Sequence, residues 1–225
     1  MKHYLFAGAA TVLFALGSIA HAAVPDFNGV WEPVNPSATL KAADGSPPPL
    51  LKAARALYAR NMAARKAGKP DFDATTQCKP AGVPRQMTMS RFDIMQSDKR
   101  LIFGFEWNRE IRMVDIGATH DDQQIYGPVW YGFSTGKWDA DTLVIDTVSY
   151  NDQTQLDSSG LPHSDQLHTV ERLTLKDDGQ TLEIRTTIED PKTFSHSWDT
   201  VATFRKLPPT TEIQEDVCTE ADRLN

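Results

Sequence analysis

The residues with the greatest capacity for chemistry are concentrated in one short segment, residues 163–172. Its sequence is His-Ser-Asp-Gln-Leu-His-Thr-Val-Glu-Arg, so two imidazoles, two carboxyl groups and a guanidinium lie close together. An imidazole titrates near neutral pH and can transfer a proton or bind a metal, and a nearby carboxylate can orient it. The segment therefore predicts a site for acid–base or metal chemistry.

The alternation of side chains along a β-strand decides which of these residues can act together. If residues 166–176 form a strand, Glu171 shares the inward face with the leucines, whereas His168 and Arg172 point outward. A buried carboxylate is either paired or has a raised pKa, and a raised pKa suits a general acid or base. We therefore expect Glu171 to act apart from His168.

A catalytic hypothesis follows from this geometry. His163 is the predicted acid or base, Asp165 its orienting partner and Glu171 a second carboxyl group below them. Arg172 or Arg85 would stabilise developing negative charge. The chemistry would be a cofactor-free lyase, isomerase or hydrolase step on a small molecule. The competing hypothesis is a non-catalytic envelope or ligand-binding protein.

The same residues also fit a purely structural interpretation. His168 and Arg172 can pair with carboxylates on neighbouring strands, and Glu171 can bond to a buried arginine such as Arg85 or Arg112. This alternative gives every charged group a partner without any reaction.

Two other acidic positions have the same two interpretations. Asp165, with Ser164, can cap a turn through its side-chain oxygen. Asp146 lies on an otherwise apolar face between two valines, so it is either paired or part of a site.

A third hypothesis is a metal-dependent enzyme. His163 and Asp165 form an H-x-D triplet, which with His196 resembles the two-histidine, one-carboxylate triad of non-haem iron oxygenases. A zinc or other metal site could instead use His163 with His168.

The elements that must position these residues are mostly strands. From residue 91 onward apolar and polar residues alternate with period two, and Asp-, Gly- and Ser-rich turns separate the runs. Short connections imply antiparallel neighbours, and this number of strands around one core implies a closed or nearly closed antiparallel barrel. Strands are predicted at 28–34, 91–97, 100–107, 109–115, 130–137, 142–150, 166–176, 181–189 and 197–206.

One helix and two long connections complete the predicted layout. Residues 50–66 are Ala-rich with helical spacing, begin after Pro49 and end before Gly68, so they predict a helix packed outside the barrel or across one end. The connections 116–129 and 151–165 are long for a compact domain, and such loops are often functional.

Aromatic residues in or beside the predicted strands indicate a small, partly aromatic ligand held in the barrel. Any single one of them can equally be ordinary core. The predicted ligand-binding residues are Trp107, Trp130, Tyr131, Trp138, Tyr150 and Arg85.

The first residues predict export. Lys2 precedes an apolar run over residues 4–16, and Ala20-His21-Ala22 fits signal-peptide cleavage after Ala22. We expect a periplasmic or secreted chain of residues 23–225 that forms a single domain. With Lys2 removed, 22 basic residues face 30 acidic residues, a formal net charge of −8. This acidity argues against nucleic acid as a partner, and no membrane span is predicted in the mature chain.

The two cysteines, Cys78 and Cys218, predict a disulfide, because an even pair in an oxidising compartment favours that bond over a free thiol or a metal site. Nothing in the residue pattern specifies an oligomeric state.

Two resemblances add to these predictions. Gly29-Val30-Trp31 resembles the G-x-W opening of lipocalin-type calycin barrels, which bind small apolar ligands. This resemblance implies that the predicted barrel is of calycin-like type. Most of the predicted mature chain is similar to a group of exported bacterial proteins of unassigned function that share a PHSDxLHxxER-type motif. The second resemblance implies a signal peptide and the importance of the shared stretches, but no activity. Those stretches are residues 78–85, 136–152, 162–172 and 188–191.

Overall fold

The computed structural model describes residues 24–123 and 126–219, and within them nine strands close into a barrel. The predicted mainly-β barrel is confirmed, and every predicted strand overlaps an observed one. The predicted signal peptide lies outside the described residues. The strands are β1 Gly29–Pro33, β2 Phe92–Gln96, β3 Arg100–Phe105, β4 Ile111–Ile116, β5 Phe133–Asp139, β6 Thr142–Val148, β7 His168–Lys176, β8 Thr181–Glu189 and β9 Trp198–Lys206.

One strand pairing departs from the antiparallel expectation. β4 and β5 run parallel and share only three residue pairs, from Val114 with Ser134 to Ile116 with Gly136. The other neighbours, including β1 with β9, are antiparallel. A parallel neighbour requires the chain to return before the next strand begins, and residues 117–132 make this return. The start of β4 is therefore left without a paired neighbour on the β5 side.

The barrel interior contains two contrasting regions. Aromatic side chains from β1, β2, β3 and β9 pack together in one region, with Phe92 and Phe204 edge-to-face at 5.0 Å between ring centres. Strands β4 to β7 contribute a polar region around Arg112 and Glu171, and the Arg112 guanidinium lies 5.4 Å from the centre of the Phe103 ring. The polar region contains the buried ion pair of Arg112 and Glu171.

The connection 151–165 folds into an ordered loop that is largely buried. Leu156 and Leu161 are fully buried within the apolar core. The Asp157 carboxylate organises the loop, because it accepts hydrogen bonds from the main-chain N–H groups of Leu161 and Leu40, each at 2.9 Å. The loop is thus part of the core rather than a mobile rim.

Two helices accompany the barrel in the described part of the chain, α1 Lys52–Lys66 and α2 Arg85–Met89. The predicted helix at 50–66 corresponds to α1, which starts two residues later because Leu50 bridges to Phe194 instead. α1 is anchored through Asn61, whose side-chain amide donates to the Gly160 carbonyl at 2.9 Å. α2 was not predicted, since five residues are too short to show helical periodicity.

The predicted disulfide between Cys78 and Cys218 is present. It closes a loop with a sequence separation of 140, for which the chain-entropy model gives about 5 kcal/mol of stabilisation. The tail reaches the barrel beside it, where the Asn108 N–H donates to the Asp216 carbonyl. No helix among the described residues is long and apolar enough to cross a membrane.

Candidate functional site

Glu171 is held inside the barrel by Arg112. Both side chains are 1% exposed, and the guanidinium meets both carboxylate oxygens. Arg112 also donates to the hydroxyls of Thr147 at 3.0 Å and Ser134 at 3.2 Å. Burial alone would lower the pKa of Arg112, but the charge of Glu171 raises it. Arg85 and Arg112 were both considered as structural partners for Glu171. The partner is Arg112, and the two residues form a buried ion pair.

His163 is buried in the loop with both ring nitrogens occupied. Nδ1 lies 2.9 Å from the Ser164 carbonyl, and Nε2 lies 2.7 Å from the Thr154 hydroxyl. Because a carbonyl only accepts, Nδ1 carries the proton and the threonine hydroxyl donates to Nε2. Burial lowers the pKa of His163, against the opposing hydrogen bond to Ser164. The ring is therefore a neutral structural group, oriented by Ser164.

Asp165, the predicted orienting partner, makes no hydrogen bond to His163 in the described structure. Asp165 is exposed and binds Lys192 at 2.7 Å, which lowers the pKa of the carboxyl. The neighbouring loop is fixed instead by the buried Asp190, whose carboxylate accepts from the Ser164 N–H at 2.6 Å and hydroxyl at 2.7 Å. Within residues 24–123 and 126–219, no hydrogen bond joins any two of His163, Asp165 and Glu171. The predicted catalytic trio is not assembled.

The outward residues of β7 have the structural partners that were considered for them. His168 Nε2 lies 3.0 Å from Asp146, whose other oxygen lies 2.7 Å from His120 Nε2. Burial acts to raise the pKa of Asp146, but hydrogen bonds from the two imidazoles lower it. Arg172 pairs with Asp139 at 3.3 Å on the surface. Asp146 is therefore paired, and Arg172 has no place in a buried site.

The residues named in the metal hypothesis have other contacts in the structure. His163 binds within its loop, Asp165 binds Lys192, and His168 binds Asp146, while His196 is exposed beside Ser195. Among the residues that the structure describes, no three His, Cys, Asp or Glu side chains are grouped to hold a metal ion.

Three of the predicted ligand-binding aromatics make contacts within the fold. Trp138 stacks on Phe27 with 5.8 Å between ring centres. The buried Tyr150 hydroxyl lies 2.7 Å from the hydroxyl of Thr169, and burial raises its pKa to about 12. Trp107 bridges to the C-terminal tail. The Trp138 and Tyr150 side chains are thus held by the fold, whereas the Trp107 contact is made by its main chain.

Arg85 is also structural. It is buried and makes a two-point contact with Asp73, at 2.8 and 2.9 Å. Burial alone would raise the pKa of Asp73, but the hydrogen bonds and charge of Arg85 lower it to about 2. The pair fixes the start of α2 and takes no part in the Glu171 network.

The remaining two predicted aromatics, Trp130 and Tyr131, line a cleft of about 500 Å³ between β4 and β5. The cleft exists because the two strands pair only from Val114 onward, so the earlier residues of β4 stand apart from the segment that precedes β5. Apolar side chains form its walls. Ile111 and Met113 are 60% and 56% exposed, which is high for such large apolar groups.

The inner side of this cleft is polar. Arg112 and Ser134 reach it from the buried network. Tyr131 is 9% exposed, and its hydroxyl has no hydrogen-bond partner among the described residues. Burial raises the pKa of Tyr131, and the negative charge of Glu110 adds to this effect. The cleft thus combines apolar walls with a buried hydroxyl, that of Tyr131, which has no hydrogen-bond partner among the described residues.

Residue patterns alone missed the main wall of the cleft. Ile111, Met113 and Glu110 were not among the predicted site residues. A signal was present in residues 111–116, because Ile111 and Met113 are apolar on the face opposite Val114. A strand with apolar residues at both parities indicates that its outer face is also covered or binds something.

The fold and this cleft define a closed β-barrel with a lateral opening between two parallel strands. No protein-family model matches the chain, and no curated protein matches it either. The function is therefore inferred from the geometry of the cleft.

Proposed function

We propose that this protein binds a small, partly aromatic molecule in the cleft between β4 and β5. One observation carries the proposal: the cleft combines exposed apolar walls with a buried hydroxyl, that of Tyr131, which lacks a partner in the described part of the chain. Its volume of about 500 Å³ lies within the usual range for small-molecule sites, roughly 300–1,000 Å³.

The energetics favour an occupied cleft. A ligand that covers Ile111 and Met113 removes apolar surface from water, which contributes about 25 cal/mol for each Å² buried. A buried hydroxyl without a partner costs about 1–3 kcal/mol, and a ligand atom bonded to Tyr131 would recover part of this. Both contributions act only when a molecule with an apolar body and a polar atom is present.

We assign no catalytic step to this site. The residues predicted for acid–base chemistry, His163, Asp165 and Glu171, are each bound to other groups.

Location outside the reducing cytoplasm is part of the proposal, and the disulfide supports it. The resemblance to exported bacterial proteins and the predicted signal peptide agree with this location.

Two surface methionines provide a direct test with a neutral aromatic probe, indole-3-ethanol. Met113 lines the cleft, whereas Met95 lies two strands away on the same outer wall and is 46% exposed. With ¹³C-labelled methionine methyl groups, the probe is expected to shift the Met113 signal and leave the Met95 signal in place.

A matched pair of substitutions completes the test. Met113→Lys is expected to lower the affinity for the probe roughly tenfold, about 1.4 kcal/mol, whereas Met95→Lys leaves this affinity unchanged. Both residues are exposed, so neither change should alter stability by more than about 0.5 kcal/mol. Equal shifts at both methyl groups, or no shift at roughly 1 mM probe, would contradict the proposal.

A further inference from the structure

We infer that the cleft selects a ligand with a positive charge next to its apolar body, such as an aromatic amine, and that Glu110 is the counter-ion. This inference rests on the proposed function, since it names the class of molecule that the same cleft would bind.

Glu110 is a half-buried carboxylate that lacks a cationic partner within the described residues. It lines the cleft immediately before β4, and its hydrogen bond comes from the neutral Asn108 side chain, at 3.0 Å. Burial raises the pKa of Glu110, against the opposing hydrogen bond from Asn108. By contrast, the buried carboxylates of Glu171 and Asp73 each meet an arginine. A desolvated carboxylate without such a partner favours the binding of a cation.

The other charged groups around the cleft add to the negative charge of Glu110. Three carboxylates line it, those of Glu110, Asp115 and Asp122, against the single guanidinium of Arg112. The Arg112 charge is already balanced by Glu171, and Asp115 is shared with Arg100 on the surface at 2.8 Å. Excess negative charge raises the local concentration of cations and opposes anions.

The aromatic lining fits the same class of ligand. Trp130, Tyr131 and Phe133 all face the cleft, and Tyr131 is fixed by stacking on Phe105 with 5.8 Å between ring centres. A cation near aromatic faces gains about 0.5–2 kcal/mol. The partnerless Tyr131 hydroxyl, 9% exposed, can accept a hydrogen bond from an ammonium group as well as donate one. This hydroxyl is a second observation, beside the acidic residues, that favours a polar ligand group in the cleft.

Three probes that differ in charge test the inference by titration calorimetry of the full chain at neutral pH. They are tryptamine, indole-3-ethanol and indole-3-acetate, which carry a cationic, a neutral and an anionic group on the same ring. Tryptamine is expected to bind at least about tenfold more tightly than the alcohol, and the acetate most weakly.

The matched variants are Glu110→Gln and Glu183→Gln. Each removes one negative charge, but Glu183 lies on β8, away from the cleft, near Lys176. Glu110→Gln is expected to reduce the preference for tryptamine over the alcohol to within about twofold, whereas Glu183→Gln keeps it.

The outcomes separate this inference from the proposed function. If the alcohol or the acetate binds as tightly as tryptamine, or if Glu110→Gln keeps the tenfold preference, the cation inference is wrong and the proposed function stands. If none of the probes binds in the cleft, the proposed function fails and the inference fails with it.

Discussion

The segment 163–172 and the cleft between β4 and β5 both contain titratable side chains. They differ in whether those side chains already have partners among the described residues. In the segment, His163, Asp165 and Glu171 each have their partners within the fold. In the cleft, Tyr131 has no hydrogen-bond partner in the described chain, and Glu110 has no cation. A dense group of reactive residue types can therefore be a scaffold, and unused capacity is the better indicator of a site.

The largest effect is expected from a variant that removes one partner of the buried Arg112–Glu171 ion pair. Glu171→Ala is expected to lower the free energy of unfolding by about 3–5 kcal/mol, because it leaves the Arg112 charge buried without a partner. Urea denaturation measures it. Replacing both residues, as Arg112→Met with Glu171→Leu, should cost far less than the sum of the single changes. A loss below about 1 kcal/mol for Glu171→Ala would mean that the pair is not structural.

Two tyrosines give the next test, because one hydroxyl is bonded and the other is not. Tyr150→Phe should cost about 1 kcal/mol, since it removes the bond to Thr169. Tyr131→Phe should leave stability unchanged or raise it by up to about 1–3 kcal/mol, since it removes a buried group without a partner. Thermal unfolding of the two variants side by side decides this. An equal loss in both would show that the Tyr131 hydroxyl is already satisfied.

Acidification distinguishes a structural His163 from a reactive one. Its pKa is lowered in the folded chain from the ordinary 6.5. The unfolded chain therefore takes up the proton first, so the stability contribution is complete above about pH 6.5 and is lost as the pH falls through the folded pKa. Unfolding in urea between roughly pH 8 and 5 should show this fall.

The matched variants for this pH effect are His163→Asn and His196→Asn. The first should flatten the fall, and the second, at an exposed position, should keep it. An unchanged pH slope in His163→Asn would contradict the assignment of a buried, neutral ring.

The smallest expected effect concerns Arg172. Its ion pair with Asp139 is largely exposed, and such pairs contribute about 0–1 kcal/mol. Arg172→Ala should thus change the free energy of unfolding by no more than about 0.5 kcal/mol and leave probe binding unaltered. A strong loss of binding would restore this residue to a functional site.

Alternation and turn residues were enough to predict the strands and the side of β7 on which each residue lies. Glu171 was expected inside and Arg172 outside, and both are. The disulfide followed from the cysteine count. The partner of Glu171 did not follow, because alternation specifies a face and not a neighbour. Arg112 lies 59 positions away on β4, and only the closure of the barrel brings the two together.

The cleft could not be predicted for a related reason. It depends on the direction of β5, which is set by the path of residues 117–132, and that stretch has no periodic pattern. The expected antiparallel pairing would have aligned the start of β4 with a neighbour and left no opening. Trp130 and Tyr131 were named as ligand-binding residues from their type, but the position of the site came from strand direction.

The disulfide divides the strands unequally. Its covalent loop runs from Cys78 to Cys218 and so encloses β2 to β9, whereas β1 lies outside it. Yet β1, five residues anchored by the buried Trp31, sits between β2 and β9 and closes the barrel. Apart from its chain connection to β2, the closing strand is thus held by non-covalent contacts, while the strands on either side of it belong to one covalent ring. The closure of the barrel therefore depends on the pairing of these five residues with both neighbours and on the burial of Trp31.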